Sequence, residues 1–245
     1  MDKPRDICVT VREVSKYFKT VRALDSFSAD FQKGVLHGII GPDGAGKTTL
    51  LRLLAGLLRP TDGSIDYSAG GIAVGLDDIR EHIGYMPSAA SLYPDLSVME
   101  HLEFFKRLYR LERGVYQKKT EELLHMTRLG EFRHRKISQL SGGMYKKAGL
   151  ICALLRSPAV LLLDEPTNGV DPISRREFWE LLYTLAQDNI LIILATAYMD
   201  EAQRCTLVHL MESGRLLING APEDILKNAG VEDFSEIFIR EEKSE

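Results

Sequence analysis

The sequence predicts an α/β fold: a parallel sheet layered with helices, an antiparallel β region ahead of it, and a helical insert within it. Three observations carry this expectation. Two continuous apolar runs, "AVLLL" (159–163) and "ILIIL" (190–194), are separated by a helical stretch, and apolar strands that alternate with helices build parallel sheets buried on both faces. A third run, "VLHGII" (35–40), ends in a glycine-rich turn and passes into a leucine-periodic stretch, so it reads as strand, loop and helix. Ahead of these, Ile7, Val9 and Val11 alternate with Cys8, Thr10 and Arg12, the period of a half-buried strand.

The remaining elements follow in order. "ALDSFSADF" comes after a polar break and is expected to pair antiparallel with the first strand. Beyond the glycine-rich turn, Leu50, Leu54, Leu57 and Leu58 keep helical spacing until Pro60. Residues of about 90 to 156 then change character. In "DLSVMEHLEFFKRLYRL" Ser97 and Glu100 make a capping box before an apolar stripe. A second helix covers "YQKKTEELLHMTRL", and a third begins near "SGGMYKKAGLICALL", with Met144, Ala148, Ile151 and Leu155 on one face and a stop at Ser157-Pro158. Between the two apolar core strands lies a helix capped by Asp171 with Pro172 in its first position. "LVHLMESGRLLING" reads as a hairpin around Ser213-Gly214, and the tail that ends in "EEKSE" is expected to fray. The organisation expected is one domain over 1–230, with a core of 1–89 and 157–230, a helical subdomain of 90–156, and a tail of 231–245.

Composition bounds the function. With 245 residues, 44% of them hydrophobic, the chain can bury a sizeable core as one large domain or two intimate subdomains. Its 31 basic and 35 acidic residues give a net charge of −4, which argues against a protein that holds nucleic acid by electrostatics. The densest basic run, "RHRK" (133–136), reads as a solvated helix end or loop. Cys8, Cys152 and Cys205 share no CxxC spacing and fit a reducing cytosol. No apolar run approaches the ~20 residues that span a bilayer, and "MDKPRDICVT" has no signal-peptide core. A link to a membrane is therefore expected through a partner.

Three stretches carry chemistry. Gly41, Pro42, Asp43, Gly44, Ala45, Gly46, Lys47 and Thr48, followed by Thr49, satisfy the phosphate-loop pattern between a predicted strand and a predicted helix. Glycines let backbone N–H groups turn around phosphates, the helix N-terminus adds its dipole, Lys47 neutralises the terminal phosphates, and Thr48 is a ligand for Mg²⁺. "VLLLDEP" delivers Asp164 and Glu165 to the carboxyl end of a strand, where ligands of parallel sheets bind. Asp164 suits the water shell of the metal, and Glu165 suits orienting or deprotonating an attacking water. "QLSGGMYKK" sets Ser141, Gly142 and Gly143 at a helix start, with the hydroxyl and N–H groups free to face a phosphate.

Phosphate loop, "LSGGM", "LLLDEP" and "GVDP", in that order, resemble the ATP-binding cassette (ABC) ATPases over nearly the whole chain. The resemblance implies a phosphate-loop NTPase fold with a RecA-like core, and ATP with Mg²⁺ as ligands. It also implies a dimer of ATPase domains, homo- or heteromeric, that sandwiches two nucleotides head to tail. Each nucleotide would lie between the phosphate loop of one domain and the "LSGGM" of the other. Phe18, with Tyr17 as the weaker candidate, would stack on adenine, and Asp171 would cross the dimer interface. The helical insert would touch integral membrane subunits, which places the chain at the cytoplasmic face of the membrane. "GPDGAGKTTLLRLLAGLL" and "GVDPISRREFW" look most like the ATPases of ABC-2-type exporters, including those with two cassettes in one polypeptide.

Two positions depart from the family. After "IGYMP" the family has a Gln that reaches the metal; here Ser88 stands there, able to reach the metal through a water. In "ATAYMDEA" the family has a His that contacts the γ-phosphate and steadies the catalytic Glu; here it is Ala197. The six histidines do not fill this gap, and most of them read as surface or strand residues. Three explanations stand side by side: a degenerate cassette that completes a competent site on its partner, a homodimer that hydrolyses slowly through Glu165, and a regulatory nucleotide-binding module with no transport role.

Overall fold

A computed structural model describes residues 7–89 and 91–242. Strands β1 (Ile7–Phe18) and β2 (Val21–Gln32) open it as an antiparallel pair. Next come β3 (Leu36–Ile40), α1 (Lys47–Leu54), the hairpin β4 (Asp62–Ala69) and β5 (Ile72–Val74), the single turn α2 (Leu76–Ile79), and β6 (Ile83–Met86). Helices α3 (Val98–Leu108), α4 (Arg113–Thr127) and α5 (Gly142–Leu154) intervene before β7 (Val160–Asp164). The chain continues through α6 (Pro172–Gln187), β8 (Leu191–Thr196), the hairpin β9 (Leu207–Glu212) and β10 (Arg215–Gly220), α7 (Pro222–Ala229) and α8 (Phe234–Glu242).

Two sheets organise these elements. The first is antiparallel, in the order β2-β1-β4-β5. The second runs β10-β9-β3-β8-β7-β6, parallel from β9 to β6 with β10 antiparallel at its edge. Alternation along the parallel strands divides their side chains between two cores. Leu36, Leu161, Leu163, Ile192 and Leu194 pack with Leu102, Leu124, Ile151 and Trp179 of the helices. Ile39, Val160, Leu162, Leu191 and Ile193 pack with β1, β2 and α1. The sheet is covered on both faces, and its strand ends are left to carry the site.

Local chemistry explains most boundaries. Ser97 accepts from the Glu100 N–H at 3.2 Å and Glu100 accepts from the Ser97 N–H at 2.7 Å, the reciprocal capping box of α3. Asp171 caps α6, with Pro172 in its first position. The α1 helix is shorter than its leucine spacing predicts: it stops at Leu54, and Gly56 turns away at φ +66°. Leu57 is 60% exposed, so its place in the apolar stripe is not used for packing. Arg133 of "RHRK" pairs with Glu121 in an exposed turn, as a solvated charge should.

The end of the chain departs from the frayed tail expected of it. Residues 234–242 form α8, and Phe234, Ile237 and Phe238 join the helical core; residues 243–245 of "EEKSE" lie outside the described residues, as do 1–6 of the opening stretch. Most histidines are surface or strand residues as expected, and three of the six are buried. His37 on β3 and His209 on β9 face each other at 3.1 Å, which is a strand pair as expected, while His101 lies inside α3 and accepts from the Tyr93 N–H. No described helix is long and apolar enough to cross a membrane.

Candidate active site

The loop between β3 and α1 is shaped by contacts that leave no room for a side chain at Gly41 or Gly46. Gly44 and Gly46 sit at φ +85° and +98°, a region that glycine enters without strain. A Cβ on Gly46 would lie 2.4 Å from the Ala23 carbonyl oxygen of β2, and one on Gly41 would lie 2.1 Å from that of Met211 on β9. The loop is thus wedged between the two sheets. Pro42, Asp43 and Gly44 form its exposed crest, Ala45 is buried beneath it, and Thr49 is half-buried in the first turn of α1. Lys47 is only 5% exposed, and its ammonium donates to the carbonyls of Gly41 (2.8 Å) and Pro42 (3.0 Å).

β7 brings two carboxylates to this loop. Asp164 is fully buried, and its Oδ1 accepts from the Thr48 hydroxyl at 2.9 Å. A carboxylate and a hydroxyl in contact, both hard oxygen donors, fit a magnesium ion that keeps waters and phosphate oxygens as its other ligands. Ser88 lies exposed two residues beyond the end of β6. The side chain of that strand that reaches Asp164 is Tyr85, whose hydroxyl stands 3.5 Å from Oδ2.

Glu165 adopts φ +47°, a left-handed conformation that costs a non-glycine residue of order 1 kcal/mol and persists only where surroundings enforce it. Four contacts enforce it here. Its N–H donates to the Ala195 carbonyl (2.9 Å) and its carbonyl accepts from the Lys146 ammonium (2.8 Å). Its Oε2 accepts from the Ala197 N–H at 3.3 Å, and its Oε1 lies 3.4 Å from the Lys47 Nζ. Burial raises the carboxyl above the ordinary range, opposed by Lys47 and by the Ala197 N–H. Such a carboxylate is a better proton acceptor than a free one.

The third stretch starts α5. Ser141 and Gly142 are exposed, and the Ser141 oxygen accepts from the Met144 N–H at 3.3 Å as the helix cap, which leaves the hydroxyl proton free to donate. Gly143 is buried, where a Cβ would meet that of Ser174 on α6 at 2.4 Å. Asp171 accepts from the N–H groups of Ile173 (3.1 Å) and Ser174 (3.0 Å), which hold its carboxyl below the usual range. Phe18 is 43% exposed at the tip of the β1–β2 hairpin, with Tyr17 beside it. The contact of Ala23 with Gly46 sets that hairpin next to the loop.

The sequence reading did not find Tyr85, Lys146 or the Ala197 backbone. Lys146 sits within the quoted "LSGGMYKK", but its burial next to Glu165 becomes visible only once α5 is packed.

A parallel α/β sheet that ends in a glycine loop, a lysine and two strand-end carboxylates defines a nucleotide-binding protein of the phosphate-loop class. Residues 24–168 match the ABC transporter family. The chain is 42% identical over 238 residues to the probable multidrug ABC transporter ATP-binding protein YbhF of Escherichia coli, covering 94% of this chain and 40% of that protein. It is 33% identical to the daunorubicin resistance ATP-binding protein DrrA3 of Streptomyces coeruleorubidus, covering 96% and 75%. An ATP-binding subunit of an ABC transporter superimposes with a TM-score of 0.81 at 26% identity, over 95% of this chain and 98% of that one. A dimeric cassette in a post-hydrolysis state bound to ADP and phosphate gives 0.76 at 26% identity, over 87% and 98%. The chain belongs to the ABC transporter ATP-binding family, and it spans less than half the length of YbhF.

Proposed function

We propose that this chain is the ATP-hydrolysing cassette of an exporter. In this reading it works at the cytoplasmic face of a membrane, in a dimer of cassettes joined to integral membrane subunits. The observation that carries the reading is the convergence of Lys47, Thr48, Asp164 and Glu165 from α1 and β7, with Thr48 and Asp164 in contact and Glu165 held 3.4 Å from Lys47. The relatives named for drug resistance and multidrug transport support export, and the dimeric cassette supports a pair of cassettes, which this reading arranges head to tail. Tyr93, Phe104, Leu108 and Val115 of the helical segment are exposed apolar side chains, suited to a protein partner. The proposed domain remains 1–230, with the helical subdomain at 90–156 and 231–245 following it.

In this reading the residues take the following roles, which the geometry of the loop and the two carboxylates supports. Gly41 to Thr49 hold the phosphates, with Lys47 swinging from its carbonyls to the β- and γ-oxygens. Thr48 and Asp164 hold Mg²⁺, which when bound neutralises charge on the phosphates; Ser88 stands further out. Glu165 orients the attacking water and takes its proton. Phe18 stacks on adenine. Ser141, Gly142, Gly143 and Asp171 face the partner cassette and its nucleotide. Ala197 has no side chain for the γ-phosphate, but its N–H already steadies Glu165, so the site works slowly rather than not at all.

Paired substitutions test this. Lys47→Ala should remove ATP binding measured by calorimetric titration. Glu165→Gln should keep the affinity within a few-fold and lower phosphate release at least tenfold. Equal ATP affinity in wild type and Lys47→Ala would refute the assignment of the loop.

A further inference from the structure

Lys146 is a buried ammonium that no step above uses. It is 7% exposed, and its side-chain hydrogen bond goes not to a carboxylate but to the backbone carbonyl of Glu165, at 2.8 Å. Burying an ammonium is costly, and here burial lowers its pKa against the pull of Glu165 and Asp164. A methionine or leucine would fill the same space without that cost. The carbonyl it holds belongs to Glu165, a non-glycine residue held at φ +47° directly after β7. Loss of the bond would free the peptide after Glu165 to relax toward the ordinary helical or extended regions, and the carboxylate would move with it.

The position of Lys146 in the chain adds the second half of the argument. It lies in the first two turns of α5, the helix that begins at Ser141 and Gly142. The start of that helix is fixed to the segment after Glu165 at two more points: a Cβ on Gly142 would be 2.9 Å from the Gly169 carbonyl oxygen, and one on Gly143 would be 2.4 Å from the Ser174 Cβ. Helix and segment therefore move as one packed unit, and Lys146 is its polar link to the reacting carboxylate.

We propose that Lys146 is a positioning residue that ties α5 to the main chain of Glu165, so that a phosphate contacting the start of α5 from the opposite cassette orients the Glu165 carboxylate of this one. The inference rests on the head-to-tail reading given above. It makes each half-site sensitive to the nucleotide in the other, through a hydrogen bond inside one chain.

The test is Lys146→Met, which keeps the length of the stem and removes the donor, in the ATP-hydrolysing assembly purified from membranes. Phosphate release against ATP concentration gives the turnover number and the Hill coefficient, and nucleotide titration gives the affinity. The expected result is a turnover number reduced about tenfold, a Hill coefficient that falls from its wild-type value to 1, and an affinity within twofold of wild type. If Lys146→Met does not fold, Lys146→Gln is judged by the same criteria. A Hill coefficient that stays at the wild-type value overturns the proposal, as does an affinity that falls in step with turnover, because a merely structural lysine would give that pattern. A wild type that neither binds nor hydrolyses ATP would instead overturn the reading on which this one rests.

Discussion

Ala197 shows how one residue divides a task between side chain and backbone. The partly exposed methyl cannot donate to a γ-phosphate, while the N–H of the same residue donates to Glu165 Oε2 at 3.3 Å. Steadying the base is therefore retained and charge stabilisation is lost. One missing polar contact of this kind lowers a rate by about 10²–10³. Ala197→His should accordingly raise kcat by about tenfold or more with ATP affinity nearly unchanged, as read by steady-state phosphate release and titration. No gain, even with Ser88→Gln added, would mean that the departure at 197 is compensated elsewhere.

Single elements are stabilised where the sequence announces them. Ser97→Ala removes half of the reciprocal cap on α3, which should cost about 1 kcal/mol and lower the melting temperature by about 2–4 °C in a domain of this size; a change within error would show that the tertiary contacts of α3 suffice without it. The cap, the apolar runs of β7 and β8, and the alternation of β1 were legible because each is written within a few consecutive residues. So were the phosphate loop and the Asp164-Glu165 pair. β4 was not legible, since "DGSIDYSA" is polar and buries only Tyr67, and its strand conformation comes from main-chain pairing with β1. The end of α1 was misread because leucine spacing outruns the Gly56 turn. α8 was misread because an acidic ending hides Phe234, Ile237 and Phe238. Lys146 and Tyr85 depend on contacts between segments far apart in sequence, which periodicity does not encode.

At the scale of the whole molecule, acid should find a weak point between β3 and β9. Burial lowers the pKa of His37 to about 4 and that of His209 to about 3. Whichever tautomer holds the 3.1 Å contact, His209 Nδ1 has no partner. Their stabilising contribution is complete above the ordinary imidazole pKa of about 6.5. It is lost as pH falls toward those folded values, because the unfolded chain takes protons that the folded one refuses. Each histidine contributes a slope of up to about 1.4 kcal/mol per pH unit. Urea midpoints between pH 7 and 4 should fall more steeply for wild type than for His209→Phe, and coincident slopes would remove the pair as the source. The same two strands also govern how the protein comes into being. β3 pairs Leu36 with Ile192 and His37 with Leu207, so more than half of the chain separates the phosphate loop from the strands that brace it. Closing such distant contacts is slow. During synthesis, the ATP site cannot assemble until β8 and β9 have left the ribosome, and β3, whose two neighbours they are, waits unpaired until then.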